Sequence, residues 1–411
     1  MFISLKQKNI ILITFLTSFN SIAEEILNKE NENIYHLLNK EILVEKKVSQ
    51  VSWINDFNLS VKYNKNYNDI YDNGEDDYTS INFTIKNKIF DSGIYNALFN
   101  SDVIKNIKIH NLNKNKHQLI NSIYINILEF QNNLLIIEKK ENLKEELLEE
   151  KNILTKNIKL NLNTDISLNN IDLKLLDIEY IIQNLKDANM GILQFLNNNS
   201  LINENKIDNS VDYIINIIDK NLNHISLKDT FDNQGYINDI KLKKAMINVE
   251  KYKQFGSLEF LYSYSYQKDP YQFRIITKDE DFKHNHNIEL KYNIPLYSIR
   301  SNKNSELLRV QKLRIQSEKS FHKLKFNNNK NTFDIRLLSF DKKIKIITNG
   351  IELLEKNYIV KKNDYKNNMI SLTNLNVEKH KFENKILDLK VEKNNKYIYI
   401  LNYLKPFNIS Y

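Results

Sequence analysis

Between Gly93 and Gly191 the chain contains neither glycine nor proline, and only six glycines and three prolines occur in 411 residues. Glycine supplies the left-handed backbone of tight turns, and proline ends helices. Ordinary usage of the two together is roughly 12%. A chain so poor in both is not a compact α/β enzyme with many tight turns and glycine-rich phosphate loops. It favours few, long elements. The apolar residues within the glycine-free stretch agree. Leu119, Ile123, Ile127, Phe130, Leu134 and Ile137 recur at intervals of four, four, three, four and three. A second stripe, Phe333, Leu337, Phe340, Ile344, Ile347, Ile351, Leu354 and Tyr358, alternates strictly between four and three. A sustained seven-residue repeat predicts left-handed coiled-coil helices. A helix over 92–160 would be on the order of 100 Å long at 1.5 Å per residue.

Each stripe ends in a polar break, expected at Asn161–Asp165 and at Lys361–Asp364. After each break the helical pattern resumes, through Leu168, Ile171, Leu175, Ile178, Ile182 and Leu185, then through Met369, Leu372, Leu375, Phe382, Ile386 and Leu389. Two helical hairpins follow.

Period-two alternation marks four strands. Their apolar sets are Phe57, Leu59, Val61 and Tyr63; Ile81, Phe83, Ile85 and Ile89; Leu258, Phe260, Tyr262, Tyr264 and Tyr266; and His286, Ile288, Leu290, Tyr292 and Ile294. Polar loops at 64–77 and 267–283 separate the members of each pair. Alternating strands with aromatic ends (Trp53, Phe57, Tyr63, Tyr78, Tyr266, Tyr292, Tyr297) suit a transmembrane barrel. They equally suit a soluble antiparallel sheet packed on helices, and the pattern alone leaves both open. Open strand edges are not tolerated in lipid, and a barrel needs about eight strands to close. In a membrane, several copies must therefore share one barrel, and three copies would supply twelve strands.

Residues 1–23 have the form of a secretory signal peptide. Lys6 and Lys8 form a positive start, Ile10–Leu16 an apolar core, and Ser21-Ile22-Ala23 a small-residue cleavage site before Glu24. That core is far shorter than the roughly 20 residues needed to span a bilayer. With no cysteine, the chain has no disulfide, no thiolate metal site and no cysteine nucleophile. The net charge of +8 reads as spread along the chain, a solvated mixed-charge surface rather than a nucleic-acid face.

The order strand, loop, strand, long helix, break, helix occurs from about 54 to 198 and again from about 256 to 398, an expected internal duplication. Ile89-Phe90-Asp91-Ser92-Gly93 at the first strand-to-helix junction, Ile294-Pro295-Leu296-Tyr297 at the second, and Tyr358-Ile359-Val360-Lys361 at the second helical break carry a resemblance to the TolC-like outer membrane efflux proteins. It covers nearly all of the mature chain. Lys361 and Leu162 stand where that family often has glycine, and Asn367 and Ile370 stand where well-known members have acidic gate residues.

The resemblance implies a mixed α and β fold: an internally duplicated chain giving four transmembrane β-strands and two long coiled-coil hairpins. A homotrimer would form a twelve-stranded β-barrel in the outer membrane, continued by an α-helical barrel. Function would be a passive exit duct for a tripartite efflux pump or type I secretion system. The partners would be a periplasmic adaptor, an inner-membrane pump and outer membrane lipid, with no nucleic acid and no cofactor. The chain would divide into a signal peptide (1–23), an N-terminal equatorial helical region (24–53), a first β-hairpin (54–90), a first helical hairpin (91–198), an equatorial linker with a short helix near 237–252 (199–255), a second β-hairpin (256–296), a second helical hairpin (297–398) and a tail (399–411). Gate or tip candidates are Tyr358, Lys361, Lys362, Asp364 and Asn367; adaptor-docking candidates are Asn161, Leu162, Asp165 and Lys361. Tyr358 reads equally as the last core member of its stripe, and Asp364 as a helix-capping residue.

No pattern calls for catalysis. His284 and His286 share a strand face, but no third metal ligand follows. His110 and His117 read as surface histidines. Glu145, Glu146, Glu149 and Glu150 form a solvated helix face, and isolated Gly191 is no phosphate loop. The competing reading is an exported coiled-coil adaptor without a pore, which the two hairpins and two strand pairs disfavour.

Overall fold

A computed structural model describes residues 26–51, 57–66, 76–159, 165–202, 207–222, 226–268, 282–295 and 299–408. The signal peptide, Trp53, Asn161, Leu162, Leu296, Tyr297 and Tyr411 lie outside them. The elements in chain order are α1 (Lys29–Val51), β1 (Phe57–Asn66), β2 (Asp76–Phe90), the single turn α2 (Ser92–Tyr95), a π-helical turn (Asn96–Asn100), α3 (Ser101–Lys159), α4 (Asp165–Asn199), α5 (Ile207–Leu222), α6 (Phe231–Tyr252), β3 (Ser257–Lys268), β4 (Phe282–Asn293), α7 (Ile299–Lys366) and α8 (Leu372–Leu404). The order strand, strand, long helix, shorter helix thus occurs twice. α3 has 59 residues and α7 has 68, about 90 and 100 Å at 1.5 Å per residue. No described helix is long and apolar enough to cross a membrane.

Two compact units share these elements. One gathers Met1–Leu37, Leu112–Asn233 and Phe321–Tyr411; the other gathers Leu38–Asn111 and Gln234–Ser320.

The second unit contains the sheet. Its strands run in the order β1-β2-β3-β4, all antiparallel. The two expected pairs are therefore joined through β2 and β3. The register places Ile81 opposite Tyr266, Phe83 opposite Tyr264 and Ile85 opposite Tyr262, and then Tyr262 opposite Ile288 and Phe260 opposite Leu290. An irregularity between Lys88 and Phe90 sets Phe90 against Leu258. Beside the sheet, helices run in the order α1, α3, α6, α7. Lys46 of α1 pairs with Asp102 of α3 at 2.5 Å, and Glu45 pairs with Lys108. Tyr95 stacks on Tyr252 of α6 at 3.9 Å. The Ser301 hydroxyl of α7 donates to the Glu250 carbonyl at 2.9 Å.

In the first unit the helix order is α4, α3, α8, α7. The α3–α4 seam is apolar: Ile137 and Leu147 pack against Ile171, Leu175, Ile178 and Ile182. The α8–α7 seam is aromatic, with Phe333 on Tyr403 at 3.8 Å, Phe340 near Tyr399, and Tyr358 parallel to Phe382. α5 closes the largest core, laying Ile207, Val211, Ile214 and Ile218 against Ile123, Ile127 and Leu128 of α3 and Leu401 and Leu404 of α8.

Three boundaries differ from expectation. The break expected at Lys361–Asp364 lies inside α7, which runs to Lys366. Lys, Asn and Asp are soluble but do not stop a helix. The turn follows at 367–371, where Asn368 takes a left-handed φ of 56° and the Ser371 hydroxyl accepts from the Asn374 N–H as the N-cap of α8. The helix expected near 237–252 begins at Phe231, and α5 occupies part of the linker. α8 runs to Leu404, into the expected tail.

Candidate channel wall and its junctions

The sheet has two chemically distinct faces. One carries Ile81, Phe83, Ile85, Phe260, Tyr262, Tyr264, Ile288 and Leu290; the other carries Asn82, Thr84, Glu259, Ser263, Asn287, Glu289 and Lys291. On β4, Ile288 is 70% and Leu290 64% exposed. His286 belongs to the apolar face, and its Nδ1 lies 3.0 Å from the Tyr262 hydroxyl. Among the described residues no three metal-ligating side chains converge; the side chain of His284 is not among those described.

The first strand-to-helix junction is built by the Ile-Phe-Asp-Ser-Gly run. Asp91 is extended and caps α2, its Oδ1 accepting from the Ile94 N–H at 2.7 Å. Lys88 donates to the other carboxylate oxygen at 3.0 Å. Burial works against the Asp91 charge, but the Ile94 and Gly93 N–H groups and the Lys88 ammonium outweigh it and hold the carboxyl below its ordinary value. Gly93 is the residue that allows the cap to close. A Cβ there would sit 2.9 Å from Asp91 Oδ1. The second junction depends on Gly256, at φ +79°, where a Cβ would lie 2.0 Å from the Asn293 carbonyl oxygen.

At the tip of the second hairpin, Tyr358 stacks on Phe382, with the Lys362 ammonium 5.8 Å above its ring. Lys361 and Asp364 pair with each other at 3.8 Å on α7. Asn367 follows the end of α7, its N–H donating to the Asn363 carbonyl at 3.0 Å. Asp165 is the first residue of α4.

The sequence reading did not find the α3–α8 seam, which is built of amides. Asn132 pairs with Asn395 at 2.9 Å, Gln131 with Asn394 at 2.7 Å and Asn142 with Asn384 at 3.0 Å; Lys139 meets Asp388 at 2.5 Å. Further along, buried His380 lies 3.7 Å from both Glu145 and Glu383, so Glu145 belongs to a seam contact as well as to a wet face. Burial lifts the nearby Glu146 carboxyl above its ordinary value, against the pull of His380 and Lys381.

Nor did it find the open edges. On α4, Ile166, Leu173 and Tyr180 recur every seven residues, joined by Leu176 and Met190, all 61–70% exposed. They stand opposite the residues that pack on α3. On α7, Phe321, Leu324, Ile335, Leu338, Ile346 and Leu353 are likewise 61–70% exposed, opposite the stripe that packs on α8. In the second unit the outer helices are α1, with Val44, Val48 and Val51 exposed, and α7, with Leu307, Val310 and Leu313 exposed.

The same backbone arrangement occurs in solved structures. The chain superposes on the CmeC outer membrane channel of Campylobacter jejuni with a TM-score of 0.67, covering 96% of this chain and 85% of that one at 10% identity. This is the fold of the TolC-like outer membrane channels. The outer membrane protein VceC of Vibrio cholerae gives 0.62 at 10% identity, with 95% and 97% covered. The open state of the MtrE outer membrane channel of Neisseria gonorrhoeae gives 0.64 at 8% identity, with 95% and 88% covered. No protein-family model and no curated protein sequence matches the chain. The mixed α and β chain fold implied by the short motifs is thus the one observed, at identities where only architecture is shared.

Proposed function

We propose that this chain is one subunit of a homotrimeric outer membrane channel-tunnel, the passive exit duct of a tripartite efflux pump or type I secretion system. One observation carries the reading. Among the described residues the sheet and both helical layers are each four elements wide, and each ends in two edges without a neighbouring element. An open sheet edge invites another strand, and an exposed heptad stripe invites another helix. Ring closure by identical copies satisfies every edge at once. Three copies give a twelve-stranded barrel, with the apolar face on lipid and the Asn-, Ser- and Thr-bearing face on water.

The exported signal, the outer membrane location and the duplication of an ancestral half belong to the same reading. The helical tips, around Asn161–Asp165 and around Lys361–Asp364 with the turn at 367–371, are the docking region for a periplasmic adaptor that links to an inner-membrane pump. Asp364 and its partner Lys361 are gate candidates. Tyr358, stacked in the α7–α8 seam, holds the tip helices together.

Single-channel recording of the detergent-extracted protein in a planar bilayer tests the proposal. Steady, small, voltage-tolerant openings are expected, and Asp364→Lys enlarges them if the tip pair restrains opening. Silence from folded protein, with tip variants silent too, would replace the duct by a pore-free coiled-coil adaptor.

A further inference from the structure

The net charge is not spread along the chain. The helical segments of the second unit, residues 38–51, 92–111, 234–255 and 299–320, hold sixteen Lys and Arg against seven Asp and Glu, a net +9, where the whole chain carries +8. Everything else sums to about neutrality. Five of the seven carboxylates are taken up by ion pairs: Asp102 with Lys46, Glu45 with Lys108, Glu250 with Lys253, Glu306 with Lys303, and Glu318 with Arg314. Eleven cations then stand with only Glu41 and Asp239.

Much of the excess is exposed on α6 and α7. On α6, Lys241, Lys244 and Lys251 are exposed and share one face by their intervals of three and seven; Asp239 takes the opposite face. On α7, exposed Arg300 lies on one side and exposed Arg309 on the opposite one, while Lys303 and Arg314, on the Arg300 side, are held by Glu306 and Glu318. The layer as a whole is net positive, so the water-filled interior that it walls in a closed ring lies in a positive field.

From this geometry we infer that the helical segment beside the barrel makes the duct selective for anionic solutes. The inference rests on the duct reading and names the charge class of what passes. A cleft lined by one sign of charge, walled by low-dielectric protein, concentrates ions of the opposite sign, and rings of Lys and Arg are the known means of building anion pores. The field acts over roughly one Debye length, about 10 Å at 0.1 M salt and about 3 Å at 1 M.

The zero-current potential of the whole protein across a KCl gradient in a planar bilayer decides the matter. Chloride is expected to permeate faster than potassium at low salt, and the ratio to move toward one as the mean salt approaches 1 M. Lys241→Gln, Lys244→Gln, Lys251→Gln and Arg309→Gln combined should lower the low-salt ratio, with conductance steps still present. Steps with potassium preferred, or a chloride preference unmoved by salt, would overturn the inference and leave the duct standing. Absence of steps would overturn both. If the combined variant fails to assemble, the salt series on the unaltered protein still decides.

Discussion

Asp91 and Gly93 do one job with two residues. The carboxylate closes the first helical turn after β2, and the missing Cβ of Gly93 leaves it room. Asp91→Ala should cost about 1 kcal/mol, as other N-cap removals do, read as a lower midpoint in thermal unfolding of the detergent-solubilised protein. Gly93→Ala should cost a similar amount by pushing the same carboxylate away, and the two changes together should cost less than their sum. Tyr397 supplies a pH signature. Its hydroxyl donates to Asp219 at 3.3 Å, tying α8 to α5. Burial, then the Asp219 charge, push its pKa to about 12 from 10.0. The folded value is raised, so the neutral phenol contributes stability fully below pH 10, and that contribution is lost as pH rises toward 12. Ultraviolet titration should show a tyrosine ionising late, and Asp219→Asn should bring that step earlier.

Among the elements, β3 depends on its first neighbour. Gly256→Ala would place a methyl on the Asn293 carbonyl at a φ that L-residues rarely adopt. The β3–β4 pair should fail to close, and heat-modifiable assembly on a gel should be lost. The strands themselves were legible because alternation is a direct image of the pleat, and α7 because its stripe kept its heptad phase for 25 residues. The second break was misplaced because Lys361–Asp364 is polar without being a stop signal; the informative residues were Asn368 and Ser371. α5 was missed although Ile207, Val211, Ile214 and Ile218 carry the spacing four, three, four. It is a short helix in a stretch read as mixed. The amide seam was hidden by composition. In a chain full of asparagine, the interval of eleven between Asn384 and Asn395 does not stand out. The charge asymmetry was hidden because it belongs to a layer assembled from four separate stretches.

For the whole molecule, closure through identical copies makes a sharp prediction. Tyr180 on α4 and Leu353 on α7 stand at opposite ends of their helical layer, near one level, as the Lys144–Glu179, Asn142–Asn384 and Tyr358–Phe382 contacts indicate. They cannot reach each other within one chain. The protein has no cysteine, so Tyr180→Cys with Leu353→Cys introduces the only two thiols. Mild oxidation should give covalent dimers and trimers on a non-reducing gel, and either single change alone should give no trimer. Chains that remain monomeric under oxidation would count against ring closure through these edges.

The amide pairs between α3 and α8 have an environmental consequence. Asn132 with Asn395, Gln131 with Asn394 and Asn142 with Asn384 carry no charge. Salt does not screen them, and acid does not titrate them. The surface ion pairs flanking the seam weaken as a medium becomes brackish, while the amides keep their register. Where these amides set it, the alignment of the two hairpins is therefore held by side chains that neither ionic strength nor protons address, while the Lys139–Asp388 pair of the same seam stays open to salt.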